Sequence, residues 1–341
     1  MKERSRLIFI ILVISLLLIL LAILRFGNFN KEILICGDRS PYEECSLNKP
    51  YFCSGGILIE KASVCGCPDI LTKKEDSCIS KYQSDPRNIS LKYILRGEEN
   101  EINFIVYQGM ADYLSELSRS IHYNSDEQPS RRDFKLKKIN NEEQRELLLP
   151  LVVKIQNIVK DKNNQMRIAL SVVQNIPFGS SEKIVKIGYN QETNYSRYPY
   201  EVVYEIEGVC GEKSELLAFL LKEIGYDVAL FYYKSENHES LGIKCPIEYS
   251  LGDTGYCFVE TSGPSILSNN ELEYVGGVRL NSEPELIFIS EGDSLDEKLY
   301  EYRDAKDLIE IKKDNKVGFF ESFKFNKLKE KYGLEEGYNI G

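Results

Sequence analysis

The first 25 residues place the strongest constraint on what this chain can fold into. Residues 7–24 read LIFIILVISLLLILLAIL, eighteen residues in which Ser15 carries the only polar side chain. A helix of that length, at about 1.5 Å per residue, nearly crosses a hydrocarbon core about 30 Å thick. A cleaved signal peptide is the alternative, but the run is long for one and no small-x-small cleavage site follows it. We therefore predict a retained transmembrane anchor over residues 7–26.

The charges on either side of this run predict its orientation. Lys2, Arg4 and Arg6 precede it, whereas Arg25 alone follows it closely. Because positive charge is retained on the cytoplasmic side, residues 1–6 are expected in the cytoplasm and the bulk of the chain outside it. The sequence thus predicts a single-pass membrane protein that contacts the membrane through its N-terminal helix. A net charge of −10 argues against nucleic acid as the main partner.

Export determines how the nine cysteines are interpreted. Six of them lie between residues 36 and 78, a density typical of an extracellular disulfide framework whose connectivity a sequence cannot give. A zinc site is the alternative, but the spacing lacks paired C-x-x-C knuckles and no histidine is near. No calcium-binding loop is recognisable either, so we predict neither a metal nor another cofactor. The six are Cys36, Cys45, Cys53, Cys65, Cys67 and Cys78.

Two further cysteines are expected to form a separate bridge. Cys245 and Cys257 lie near the ends of two strand-like runs, SLGIKC and YCFVET. The stretch between them, PIEYSLGDTG, is rich in turn residues, so a disulfide closing this loop is predicted. These assignments leave one cysteine, Cys210, without a disulfide partner.

Cys210 stands at the start of the most structured stretch of the sequence, GVCGEKSELLAFLLKEIGYDVALFYY. Leucines recur there at helical spacing, Gly225 ends the helix, and a buried strand is expected from Asp227 to Tyr233. A thiol at a helix N-terminus lies among unpaired N–H groups at the positive end of the helix dipole. Both favour the thiolate, which is the nucleophilic form. The alternative is a free thiol that packs as a small hydrophobic side chain.

A cysteine nucleophile needs a base, and the base needs a group that orients it. The chain has two histidines. His122, in SRSIHYN, is expected to be a surface or capping residue. His238, in NHESLGI, lies where the next strand begins, so its imidazole can reach Cys210. The following strand, YCFVET, ends at Glu260, in the place for an orienting carboxylate, whereas Asp253 in the turn LGDTG is expected to be a loop residue.

Taken together, the blocks G-V-C-G-E-K-S-x-L-L, N-H-E-S-L-G-I and Y-C-F-V-E-T resemble the transglutaminase-like superfamily. The likeness is closest to its extracytoplasmic, archaeal-type branch, and it spans roughly residues 160–265, where SVVQNIPF and RYPYEVVYEIEG resemble the segment that leads to the cysteine. It implies an α+β, papain-like core in which a cysteine helix packs on an antiparallel sheet. It also implies Cys210 as nucleophile, His238 as general base and acid, and Glu260 as the orienting residue, where the superfamily more commonly has aspartate.

The resemblance further implies how an oxyanion would be stabilised and which reaction follows. The backbone N–H of Cys210 would donate to the oxyanion, and Gln174 is the candidate for a second donor by analogy with papain-like sites. The alternative for Gln174 is a polar residue at a helix end. The implied activity is acyl transfer from peptide or glutamine amides of a protein substrate through a thioester, completed by water or by an amine. The alternative function is an inactive binding or structural module at the cell surface.

The remaining patterns predict the domain organisation. The alternating residues of 89–95 and 102–106 predict an antiparallel hairpin. Helices are expected at 111–121, 141–160, 164–175 and 295–309, a strand at 286–289, and polar loops at 125–134 and 179–200. The predicted units are a cytoplasmic N-terminus (1–6), the anchor (7–26), a disulfide module (36–78), a transglutaminase-like domain with its N-terminal extension (86–265) and a C-terminal extension (266–341).

Overall fold

A computed structural model describes residues 34–124, 128–187, 191–268, 273–274, 278–313 and 318–334, together with Val13 and Ser15. The predicted cytoplasmic segment and all but these two residues of the predicted anchor lie outside the described residues. Among the residues that are described, no helix is both long and apolar enough to cross a membrane. The described chain is an α+β protein built from helices and small antiparallel sheets, which confirms the predicted class.

The cysteine-rich module is the first described unit along the chain. Its disulfides are Cys36–Cys53, Cys45–Cys65 and Cys67–Cys78, which confirms the predicted framework and supplies its connectivity. Its elements are the hairpin β1 (Tyr51–Ser54) and β2 (Ile57–Glu60), the short helix α1 (Ala62–Cys65) and the hairpin β3 (Thr72–Lys74) and β4 (Ser77–Ile79). Each bridge lowers the entropy of the unfolded chain, and this compensates for the small core of such a module.

A long hairpin and four helices follow. The hairpin pairs β5 (Pro86–Leu95) with β6 (Glu98–Tyr107), placing Ile89 opposite Phe104 as the alternation predicts. The helices are α2 (Gln108–Glu116), α3 (Arg131–Ile139), α4 (Glu142–Ile158) and α5 (Lys162–Gln174). The loop predicted at 125–134 is wrong from residue 131 onward. Ser130 and Asp133 form a reciprocal capping box, and this starts a helix that hydrophobic periodicity alone did not reveal.

The disulfide module is fixed to α4 and α5 by specific contacts. The side-chain amide of Asn157 accepts from the backbone N–H of Leu58 at 2.8 Å and donates to its carbonyl at 2.9 Å, as a neighbouring strand would. Gln165 donates to the carbonyl of Gly37 at 2.7 Å. A Cβ on Gly37 would lie 2.1 Å from the Gln156 carbonyl oxygen, so only glycine allows this approach. The module therefore holds one orientation on the domain that follows.

Residues 179–200, predicted as a loop, contain regular structure instead. The hairpin β7 (Ile184–Ile187) and β8 (Gln191–Asn194) lies within this range, and α6 (Pro199–Glu205) begins at its end. Pro199 occupies the first helical turn, where its fixed φ suits a helix and its missing N–H costs nothing. Such short elements carry too few residues for a periodicity to be recognised.

The centre of the protein is the cysteine helix α7 (Cys210–Ile224), which packs against α5, α6 and one face of a four-stranded sheet. Its residues 216–221 are completely buried. Gly225 ends the helix in the left-handed conformation (φ 99°), which glycine adopts without strain. The strands of this sheet are β9 (Val228–Tyr233), β10 (His238–Lys244), β11 (Tyr256–Val259) and β14 (Glu285–Ser290). They lie in the order β11–β10–β9–β14, with every neighbouring pair antiparallel.

The remaining elements join or flank this sheet. The predicted disulfide Cys245–Cys257 is confirmed, and it closes a loop that contains two 3₁₀ turns, Ile247–Tyr249 and Leu251–Asp253. A short hairpin pairs β12 (Glu273–Tyr274) with β13 (Val278–Arg279). The C-terminal helices are α8 (Tyr300–Lys313), which starts later than predicted, and α9 (Phe319–Tyr332).

Candidate active site

Cys210 is the first residue of α7 and the one free cysteine, and its side chain is partly exposed. All nine cysteines lie in the described part of the chain, and the other eight form four disulfides. The N–H groups of the first helical turn have no acceptor within the helix, so those of Cys210 and Gly211 are available as donors beside the thiol. The Thr261 hydroxyl donates to the Cys210 carbonyl at 3.3 Å and so holds this turn against the end of β11.

A buried carboxylate, Glu212, fixes the approach of the chain to the cysteine. It accepts from the backbone N–H of Val209 at 3.1 Å and from that of Arg197 at 2.7 Å. The Arg197 guanidinium also contacts Glu212 at 3.1 Å, together with Glu205 at 2.5 Å and Glu207 at 2.8 Å. The sequence patterns described above do not reveal this cluster. A glutamate three residues after the N-cap is a known helix-start signal and could have identified Glu212.

His238, at the start of β10, interacts with both an acid and the cysteine. Its Nε2 lies 2.9 Å from Oε2 of Glu260, and both side chains are buried. Cys210 interacts with the same imidazole closely enough to raise the pKa of His238. Because Nε2 is bonded to Glu260, Nδ1 is the ring nitrogen left to face the thiol. The cross-strand neighbour of His238 is Tyr233, whose ring centroid lies 6.3 Å from that of the imidazole. The predicted strand order thus brings all three groups together.

Glu260 is surrounded by hydrogen-bond donors. Its Oε1 accepts from the backbone N–H of Thr261 at 2.8 Å, and from the N–H and hydroxyl of Ser262 at 2.8 and 2.7 Å. Burial raises the pKa of the Glu260 carboxyl, but the bond to His238, the charge of that histidine and the bonds from Ser262 outweigh burial and lower it. The acid is therefore ionised and rigidly oriented.

The same contacts determine the protonation of His238. Burial lowers its pKa, but the hydrogen-bonding and charge interactions of the imidazole with Cys210 and Glu260 outweigh burial and raise the pKa from 6.5 to about 9. The protonated imidazole is thus favoured at neutral pH. This arrangement is suited to a thiolate–imidazolium pair.

Gln174, at the end of α5, lies on the acid side of the site. Its amide nitrogen donates to the backbone carbonyl of Glu260 at 2.8 Å and to that of Ser265 at 3.3 Å. Both amide hydrogens are thereby used, and neither is left for an oxyanion in this arrangement. The contacts of Gln174 instead hold the segment that follows β11. Its role as an oxyanion donor stays a prediction.

Lys213, which the sequence analysis did not single out, is completely buried behind the site. Its ammonium donates to the carbonyl of Ile176 at 2.6 Å and to that of Ser262 at 3.0 Å, with Gln174 at 3.4 Å. Because Ser262 also donates to Glu260, the lysine ties the cysteine helix to the loop that holds the acid. A lysine at the fourth position of a helix carries no sequence signal for this contact.

Two other residues considered from the sequence lie elsewhere. His122 is exposed in the loop after α2, as expected for a surface residue. Asp253 is exposed in a 3₁₀ turn, consistent with the loop position expected for it, and the carboxylate bonded to His238 is that of Glu260. Within the ranges that the structure covers, no cluster of three or more His, Cys, Asp or Glu side chains is arranged to hold a metal ion.

Comparison of the chain with protein-family models, curated proteins and solved structures finds no significant match. The function of the protein is therefore inferred from the residues themselves and from the geometry that joins them.

Proposed function

We propose that this protein is a cysteine acyl-transfer enzyme with a transglutaminase-like, papain-like core, acting on peptide or glutamine amides of a protein substrate. The observation that carries the proposal is the buried hydrogen bond between the His238 imidazole and the Glu260 carboxylate. The free thiol of Cys210 interacts with the same imidazole and raises its pKa. A free thiol that merely filled core volume would need neither a buried base nor an ionised acid behind it.

The first half of the proposed reaction forms a thioester. The thiolate of Cys210 attacks the amide carbonyl carbon, and the carbonyl oxygen takes the negative charge. The N–H groups of the first turn of α7 donate to that oxyanion. The C–N bond then breaks while His238 gives its Nδ1 proton to the departing amine. Glu260 keeps the imidazole oriented and stabilises its charged form throughout.

The second half returns the enzyme to its starting state. With His238 now neutral, Nδ1 accepts a proton from water or from a primary amine as that nucleophile attacks the thioester carbonyl. The C–S bond breaks, and the thiolate is regenerated beside the imidazolium. Water gives a carboxylic acid and so hydrolysis, whereas an amine gives a new amide and so transamidation.

We also propose that the reaction takes place outside the cytoplasm, with the chain tethered through residues 7–26. The four disulfides support an oxidising compartment, because such bonds are rare in the cytosol. The apolar run supports a tether.

The test compares the wild-type chain with Cys210→Ala on a generic peptide and on a glutamine donor paired with a labelled amine. Intact-protein mass spectrometry should detect an acyl-enzyme that hydroxylamine releases and that Cys210→Ala does not form. His238→Ala should abolish turnover, whereas the matched control His122→Ala should retain it. A thiol that fails to react with iodoacetamide at neutral pH would instead favour the inactive binding module.

A further inference from the structure

The first turn of α9 exposes three phenylalanines to solvent. Phe319, Phe320 and Phe323 have 83, 82 and 63% of their surface accessible, and the rings of the first two meet edge to face. The same helix also has an inward side, where Leu328 is buried and Phe325 packs against the same cluster. One side of the helix therefore packs against the protein, while the aromatic rings of its N-terminal turn are exposed to solvent and lie outside that buried cluster. Contiguous exposed rings of this kind mark interaction sites.

Positive charge surrounds this aromatic turn in a chain that is acidic overall. The described residues 310–313 and 318–327 contain four lysines and two acidic residues, Glu310 and Glu321, whereas the whole chain carries −10. Lys313, at the end of α8, and Lys327, two turns into α9, are both exposed. Lys324 is half exposed and lies 2.7 Å from Asp307. The local charge would attract an anionic surface that the rest of the protein repels.

Aromatic rings flanked by lysines are the features of helices that lie in the interface of a bilayer. Phosphates of anionic lipids attract the ammonium groups, and the ring faces remain below them among the upper acyl segments. The predicted anchor ends near residue 26 and the described fold begins at residue 34. So short a connection spans at most about 30 Å, which would keep the folded domain within reach of the bilayer surface.

We propose that the first turn of α9 inserts Phe319, Phe320 and Phe323 into the interface of an anionic lipid bilayer, with Lys313 and Lys327 facing the lipid phosphates. The contact goes beyond the proposed catalysis and does not depend on it. Its consequence would be a fixed orientation of the folded domain on the membrane rather than free rotation on a tether.

The absence of tryptophan from this chain provides a direct test. Phe320→Trp introduces a single tryptophan into the proposed contact, and Phe288→Trp introduces one at a half-exposed position of β14 as the matched control. Each full-length variant is added to or reconstituted in vesicles of phosphatidylcholine, with or without phosphatidylglycerol, that contain brominated lipid. Bromine quenches tryptophan that enters the bilayer.

With phosphatidylglycerol present, we expect the Phe320→Trp emission to shift to shorter wavelength and to fall by about twofold or more, while Phe288→Trp is unaffected. Adding Lys313→Glu and Lys327→Glu should remove the quenching. Equal quenching of both variants would mean that tethering alone brings the tryptophans close to the lipid, and it would overturn the proposal. A blue shift without bromine quenching would also overturn it, because it would indicate burial of the turn against protein, either a partner or a second copy.

Discussion

Replacing Glu260 by glutamine should disable the imidazole while nearly preserving the shape of the site. The two backbone N–H groups and the hydroxyl around Oε1 require an oxygen at that position. The amide NH₂ of the glutamine must then face Nε2 of His238, where a carboxylate oxygen now lies at 2.9 Å. The protonated imidazole would present its Nε2–H to another donor, and the negative charge that stabilises it would be lost.

The structure gives the size of this effect. The pKa of His238, raised from 6.5 to about 9 against the opposing effect of burial, corresponds to roughly 3 kcal/mol in favour of the protonated form. Cys210 and Glu260 share that stabilisation. Assigning the acid about half predicts a loss of roughly 1–2 kcal/mol, or about tenfold in the population of the ion pair. Turnover should fall further, because the comparable change in a Ser-His-Asp triad costs about 10⁴-fold.

The assay is the rate of iodoacetamide alkylation of Cys210 between pH 4 and 10, followed by intact-protein mass spectrometry. Glu260→Gln should lower the rate at pH 7 about tenfold and move the profile to higher pH. Ser262→Ala is the matched control, because it removes one hydroxyl donor but keeps the carboxylate and both N–H groups. An unchanged rate and profile in a Glu260→Gln variant with native circular dichroism would refute the assigned role of the acid.

The same histidine predicts a pH dependence of stability. Its pKa is higher in the folded than in the unfolded chain, so the folded state binds the proton more tightly. The resulting contribution is fully present below pH 6.5 and is lost as the pH rises through about 9. Urea midpoints should therefore decline over this window in the wild type and decline less in His238→Ala. Parallel declines in the two proteins would contradict the assignment.

Three further outcomes follow from the structure. Iodoacetamide should label one thiol per non-reduced chain, at Cys210, and it should label none in Cys210→Ala. A second labelled cysteine would contradict the disulfide pattern. Replacing both Cys245 and Cys257 by serine should lower the free energy of unfolding by about 3 kcal/mol, and urea titration that shows no change would contradict a bridged loop. Asn157→Ala should cost about 1–3 kcal/mol, because Leu58 loses the partners of both backbone groups, and an unchanged midpoint would argue against a fixed module.

Much of the candidate site was visible in the sequence because its signals are local. A cysteine before an apolar helix, a histidine at the start of one strand and an acid at the end of the next can each be recognised within a few residues. The antiparallel order of successive strands then brings the three together. The same locality predicted the β5–β6 hairpin and both disulfide groups, because alternation and cysteine density are properties of short windows.

Only the tertiary structure decided what surrounds these groups. Glu212, Arg197 and Lys213 act through partners distant in sequence, and a charged residue on a helix gives no local sign that it will be buried. Analogy with papain-like sites suggests Gln174 as an oxyanion donor, but its two carbonyl partners depend on how α5 packs beside the segment after β11. Sequence thus determined which residue types stand at the candidate site, because a cysteine, a histidine and an acid can each be recognised from residue type and local setting. The fold decided their protonation and orientation, because these depend on burial and on hydrogen bonds between distant segments.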